Sequence, residues 1–344
     1  MTVSSAKSVL VLGATGGAGY ETAIALLRHG WSVRAMHRDP VKARARLPEA
    51  EWVSGDALRA SDVVAAANGV QLIFHGVNPP GYRDWDKLVM PMLEATIAAA
   101  KATGARIIVP GNVYNYGPDA FPILTEDAPQ NPISRKGAIR ARMEARLREA
   151  SASENVHSIV LRAGDFFGPH ADTWFSQGMI RPGKPLTSVR YPGEPDIGHA
   201  WAYLPDFAEA VARLAERESK LREFENFHFA GHWFDRGVEI AERTCVVAGV
   251  PATSIRRFPW VLVDVLSPFV TLFHEMREMR YLWKTPVQLD NMLLINVLGE
   301  EPHTDIDTAI RRTLQAKGCL SDLPPQTNST GLRSPTSKIR GRRC

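Results

Sequence analysis

Cysteine is scarce. Cys245, Cys319 and Cys344 are the only three in 344 residues. They have no metal-binding or redox spacing. So sparse and odd a count argues against a disulfide scaffold and suits a reducing cytoplasm, where the protein is expected to reside. Long apolar runs are also missing. The most hydrophobic late stretch, Phe258 to Phe273, falls short of the roughly 20 residues a spanning helix needs and is broken by Asp264 and Pro268. It reads as a buried helix or surface lobe, and no membrane partner is expected. Residues 1–8 are polar, so no leader peptide is expected either. The net charge is only +4. Part of it comes from Arg333, Lys338, Arg340, Arg342 and Arg343, set among Ser, Thr, Pro and Gly, so residues 321–344 read as a disordered basic tail. No nucleic-acid motif appears and the basic helix lacks interleaved aromatics, which argues against a nucleic-acid partner. The histidines are scattered, and His228 and His232 lack a nearby Cys or carboxylate partner, so no metal site is expected.

What the chain does have is concentrated at its start. The apolar run Val9-Leu10-Val11-Leu12 leads into Gly13-Ala14-Thr15-Gly16-Gly17-Ala18-Gly19, followed by a helix-periodic segment that closes at His29-Gly30. This is a buried strand, a turn spaced G-x-x-G-x-x-G, and a helix with a glycine just beyond its end. Side chains in such a turn would hold a pyrophosphate away from the backbone. The helix N-terminus supplies unpaired N–H groups and a partial positive charge. Gly13, Thr15, Gly16, Gly17, Ala18 and Gly19 are therefore candidate dinucleotide-binding residues.

Strand-like and helix-like segments then alternate. Strands are predicted at 32–37, 51–54, 71–75, 106–109 and 157–161, with helices at 60–67, 84–103 and 135–151. This alternation predicts an α/β fold, a doubly wound parallel sheet of Rossmann type over residues 1–165. After residue 165 Pro, Gly and aromatics become frequent. A smaller C-terminal substrate lobe is expected over 166–320, with segments at about 199–230 returning to the first domain. Ligands of such sheets lie beyond the carboxyl ends of the strands. That rule points to Arg38 after the second strand, Asp56 and Ala57 after the third, and His75, Gly76 and Asn78 at the end of the fourth. Where NAD enzymes place an acid to hold the ribose, this chain has His37 and then Arg38. A guanidinium fork fits a 2′-phosphate, so NADP is expected over NAD. Alternatively Arg38 is a solvated charge and Asp39 turns back to the ribose, and Asp56 is either an adenine contact or a helix N-cap.

Gly13 to Gly19, Gly55-Asp56, Phe74-His75, Tyr116-Gly117, Leu161 to Gly164 and Tyr203 to Asp206 occur in the order found in the extended short-chain dehydrogenase/reductases. The chain resembles that group, the NAD-dependent epimerase/dehydratase family, over roughly residues 7–316. The end of this stretch, Leu298 to Asp305, resembles the family's C-terminal helix-pair region. The resemblance implies a Rossmann domain holding NAD(P), a smaller lobe selecting a small-molecule substrate, and long helices through which a homodimer can form. It also implies a Tyr-x-x-x-Lys pair and a preceding Ser or Thr. At the matching positions this chain has Lys136, Arg140 and Asn112.

Two readings follow. In one, Lys136 is the acid–base group, with its titration lowered near Arg140, Asn112 donates to the developing oxyanion, and Arg140 holds a ribose or phosphate. In the other, Arg140, Glu144 and Arg148 are ordinary helix charges paired at i, i+4. Tyr114 and Tyr116 are further proton-donor candidates, with Tyr116 better suited to packing. Phe166, Trp174, His199, Trp201, Tyr203 and Trp233 are candidate pocket residues, and His199 is the one suited to proton exchange near neutrality. Arg181, Lys184 and Arg190 are a candidate pyrophosphate clamp. The leading expectation is an NADP(H)-dependent oxidoreductase acting on a small carbonyl or alcohol, similar to atypical members such as the isoflavone-reductase type. The alternatives are a non-catalytic dinucleotide sensor, like the nitrogen-metabolite regulator type, and a nucleotide-sugar epimerase or dehydratase.

Overall fold

A computed structural model describes residues 7–79 and 84–320; the basic tail expected over 321–344 lies outside the described residues. The first half alternates strand and helix: β1 (Ser8–Leu12), α1 (Gly17–Arg28), β2 (Ser32–His37), α2 (Pro40–Arg44), β3 (Glu51–Ser54), α3 (Ala60–Ala66), β4 (Leu72–His75), α4 (Trp85–Thr103) and β5 (Arg106–Gly111). A short β6 (Ile123–Leu124) precedes α5 (Arg135–Ser153) and β7 (Ser158–Ala163). Then come β8 (Asp165–Phe167), β9 (Val189–Tyr191), β10 (His199–Tyr203), α6 (Leu204–Ala215), β11 (Phe224–Phe229) and β12 (His232–Phe234). The chain continues through α7 (Glu239–Ala248), β13 (Ile255–Arg257), α8 (Trp260–Leu266), α9 (Thr271–Glu278), β14 (Gln288–Leu289), α10 (Met292–Leu298) and α11 (Ile306–Ala316).

The central sheet has seven strands in the order β11-β7-β5-β4-β1-β2-β3, and every pairing in it is parallel. Its apolar runs are continuous because helices cover both faces. Alternation along β1 sends Val9 and Val11 toward Ala25, Leu26, Phe207 and Val211. Leu10 and Leu12 go to the other side, with Val89, Leu93, Ile139 and Leu147. Register aligns Leu12 with both Met36 and His75, so the turns that follow β1, β2 and β4 open along one edge. That edge is where the sheet offers a ligand its loops.

Six of the seven strands were legible in the sequence; β11 appeared there only as part of a returning segment. β11 forms one edge of the central sheet, and α6 packs in the same core as α1. The second lobe begins where Gly164 ends the pairing of β7. There β8 leaves for a three-stranded sheet ordered β12-β10-β8. Phe167, Phe175, Trp201, Trp283 and Ile310 form the core of this lobe. Asp305 caps α11 by accepting the N–H of Thr308 at 3.0 Å. Among the described residues, no helix is long and apolar enough to cross a membrane.

Candidate active site

The glycine turn is built for close backbone approach. Gly13 has φ +86°, and a Cβ there would lie 2.5 Å from the carbonyl oxygen of Gly76. A Cβ on Gly19 would collide with the carbonyl of Gly13. The first turn of α1 carries no acidic residue, and Gly16 places no side chain over it. The N-terminal amides therefore have no competing carboxylate, and the residues present fit a pyrophosphate. Ala18, His75, Gly76 and Asn78 line a cleft of about 280 Å³ at the edge of the sheet. Asn112 and Arg140 line the same cleft.

On the flank where an adenosine would lie, Arg38 is exposed at the end of β2. Asp39 does not turn back: its carboxylate caps α2 by accepting the N–H of Lys42 at 3.1 Å. Asp56 is not a helix N-cap, since Arg59 holds that position on α3. Instead Asp56 accepts the N–H of Leu58 at 3.0 Å and closes the loop that carries Ala57. His75 lies at the floor of the cleft, 3% exposed, with Nδ1 2.7 Å from the Thr96 hydroxyl. Burial, with help from the Arg140 charge, pulls its pKa down to about 3, so it stands neutral.

Asn112 follows β5 and caps a short turn, its side-chain oxygen accepting the N–H of Tyr114 at 3.0 Å. That leaves the amide hydrogens as its donors. Its carbonyl accepts from Arg162, which is wholly buried and bonds Glu144 at 2.6 Å. Glu144 also accepts from Gln130 at 2.7 Å, and Gln130 from Asn115 at 3.0 Å. This network corrects the expectation that Glu144 pairs along its own helix: burial brings Arg162 across from β7, and the carboxylate neutralises that charge instead. Tyr116 is fully buried under the Arg162 guanidinium, and burial raises its pKa. Arg140 stacks 5.0 Å from the Trp85 ring and donates to Asn78 at 3.3 Å.

Lys136 is placed differently from Asn112 and Arg140. It does not line the cleft and is 1% exposed. Its ammonium lies 2.9 Å from the Glu275 carbonyl, 2.9 Å from Glu278 Oε2 and 2.5 Å from Glu275 Oε2. The contacts to the Glu275 carbonyl and to Glu278 Oε2 are hydrogen bonds, and that to Glu275 Oε2 is an ion contact. Both glutamates belong to α9 of the second lobe, and Arg135 donates to Glu275 as well, at 2.7 Å.

A second titratable pair does reach the cleft. His199 on β10 and Asp165 at the start of β8 both line it, with His199 Nε2 2.9 Å from Asp165 Oδ2. The imidazole stacks on the Trp283 indole at 4.1 Å and 6°. Carboxylate and indole together fix the ring's plane, which leaves Nδ1 as the other working nitrogen. The sequence singled out His199, but Asp165 was missed as its partner, because its only signal was its position just after a strand. Among the other pocket candidates, Phe166 and Trp174 line the cleft, whereas Trp201 and Tyr203 are packed in the lobe core. Arg181, Lys184 and Arg190 do not line the cleft.

A seven-stranded parallel sheet with a glycine turn at its edge, opening on a cleft, defines a Rossmann-type protein. A profile of the NAD dependent epimerase/dehydratase family matches residues 9–229, and the chain belongs to that family. It is 31% identical over 176 residues to a 3-diazoavenalumate denitrifying reductase of a Streptomyces species, a match covering 47% of this chain and 57% of that protein. The chain thus aligns with little more than half of that relative's length. Its fold is similar to UDP-glucose 4-epimerase from Bifidobacterium longum, solved with NAD+ and UDP (TM-score 0.70, 16% identity, 90% of this chain and 98% of that one). It is also similar to the dTDP-glucose 4,6-dehydratase DesIV from Streptomyces venezuelae, solved with NAD (TM-score 0.68, 16% identity, 90% and 96%).

Proposed function

We propose that the chain is an NADP(H)-dependent oxidoreductase acting on a small carbonyl or alcohol compound, with His199 and Asp165 handling the proton. The observation that carries this reading is the His199–Asp165 pair on the wall of the cleft that Ala18 and Gly76 also line. When bound, the dinucleotide supplies or accepts the hydride. Gly13 to Gly19 hold its pyrophosphate, and the exposed Arg38 meets a 2′-phosphate. Asn112 donates its amide hydrogens to the substrate oxygen as negative charge builds there. His199 gives the proton to that oxygen from Nδ1, while Asp165 steadies the imidazolium through Nε2. The aligned relative, named a reductase, supports this class of chemistry.

The test is His199→Gln, assayed by NADPH oxidation across a carbonyl panel. The turnover number should fall about 10²–10³-fold, within the range for loss of a general acid, while NADPH affinity by fluorescence titration stays within twofold. Unchanged turnover would remove His199 from the chemistry. A second reading, a dinucleotide-binding protein without turnover, rests on the burial of the Lys136 ammonium against Glu275 and Glu278, outside the lining of the cleft. It predicts no substrate-dependent NADPH oxidation on any member of the panel, together with a change of elution volume between the NADP+ and NADPH forms.

A further inference from the structure

The cleft adjoins a second compartment. Tyr114, Asp172, Thr173 and Trp174 line both the cleft and an adjoining cavity of about 240 Å³. The adjoining cavity is walled by Trp174, Phe258, Leu272, Phe273, Met276 and Met279. Its aromatic wall is tightly set. Trp174 lies 5.5 Å from Phe258 and 5.4 Å from Trp283 between ring centroids, both near edge-to-face. Gly178 makes room for that indole, since a Cβ there would lie 2.9 Å from its ring. Trp174 therefore stands at the junction between the polar reaction space and an apolar slot, held there by its neighbours.

The charge of the lining narrows what can enter. No Lys or Arg lines the slot among the described residues, and the two charged residues that do are Asp172 and Glu275. Lys317 pairs with Asp172 at 2.9 Å, and Lys136 with Glu275 at 2.5 Å. Among the described residues, Arg140 is the one Lys or Arg lining the cleft itself. A pyrophosphate-bearing substrate would bring two negative charges to walls that offer it carboxylates and aromatic rings. A flat, uncharged group suits them: an apolar cavity of about 150 Å³ is enough to hold benzene, and Met side chains adapt around a ring.

We propose that the slot is the substrate-specificity compartment of this protein and takes a planar, uncharged aromatic group attached to the part of the substrate that reacts in the cleft, in place of a nucleotide. The inference rests on the cleft being the oxidoreductase site proposed above. The reacting end lies against Asn112 and His199, and the ring passes Trp174 into the slot.

The test uses direct binding to the NADP+-loaded protein, so that it does not depend on turnover. Isothermal titration should show trans-cinnamamide binding at one site, with UDP-glucose binding at least tenfold more weakly. Met276→Trp fills the slot and should weaken cinnamamide at least tenfold with NADP+ affinity unchanged. Leu272→Trp, at the exposed rim, should act in the same direction should the first variant fail to fold. No cinnamamide binding, equal affinity in wild type and both variants, or preference for UDP-glucose would overturn the proposal. Hydride transfer to cinnamaldehyde is measured separately. If it is absent while the binding pattern holds, the oxidoreductase reading fails and the slot stands.

Discussion

Replacing Lys136 by Met separates two roles that a loss-of-activity experiment alone would confuse. The ammonium is almost wholly buried and held by Glu275 and Glu278, which are 4% and 18% exposed. Breaking a buried ion pair by removing one partner costs about 3–5 kcal/mol, because the remaining charge stays desolvated. Arg135 still holds Glu275, and Glu278 keeps some contact with water, so the lower end, about 3 kcal/mol, applies here. Urea denaturation followed by far-UV circular dichroism should show that loss in Lys136→Met. Lys136→Met combined with Glu278→Gln should recover about 1–2 kcal/mol by removing an uncompensated carboxylate. NADPH affinity, measured at a temperature where the variant is folded, should change little. The opposite result would refute the reasoning: full stability in Lys136→Met, with turnover lost a thousandfold, would place the amine in the chemistry.

Two further outcomes follow from Arg38 and from the buried histidines. Arg38→Ala should raise the KM for NADPH at least tenfold and leave that for NADH within twofold in steady-state assays. An equal effect on both coenzymes would make Arg38 a solvated charge. Stability should also fall on mild acidification. Burial pulls His75 and His228 down to about 3 and His232 to about 4, so the folded state leaves them neutral where the unfolded chain, titrating near 6.5, takes up protons. Stability supported by these groups is intact above pH 6.5 and declines as pH drops toward 3, by about 2 kcal/mol per histidine at pH 5. Glu126 and Glu301, raised by burial, offset part of this. A urea midpoint that is unchanged from pH 7 to pH 5, or a slope that His75→Gln fails to flatten, would refute this.

The sheet was legible because its signals are local. β1 and β7 are buried on both faces and carry the apolar runs Val9–Leu12 and 159–161, and the turn after β1 is fixed by glycines within a few positions. β11 was harder to read because it carries Glu225, Asn226 and His228 inside the fold. Glu225 pairs locally with Arg222, but the other two find partners far along the chain: Asn226 donates to the Glu126 carbonyl, and the His228 amide to the Glu126 carboxylate. The same limit applies at the site. Nothing around Lys136 announces acceptors 139 and 142 residues away. His199 and Asp165 are 34 residues apart and meet only because β8 and β10 pair. Asp39 and Asp56 each accept a neighbouring backbone amide, which turns Asp39 to α2 and takes Asp56 out of the N-cap position of α3.

The clasp between the start of α5 and α9 ties the half of the chain that carries the glycine turn to the segment that walls the adjoining slot. One end of it lies in each half, so the halves are not interchangeable parts. A chimera that grafts this lobe onto another relative's coenzyme half inherits two stranded carboxylates unless it also receives a lysine at the foot of that helix. Recombination that aims to move substrate preference must therefore carry Lys136, Glu275 and Glu278 as one unit.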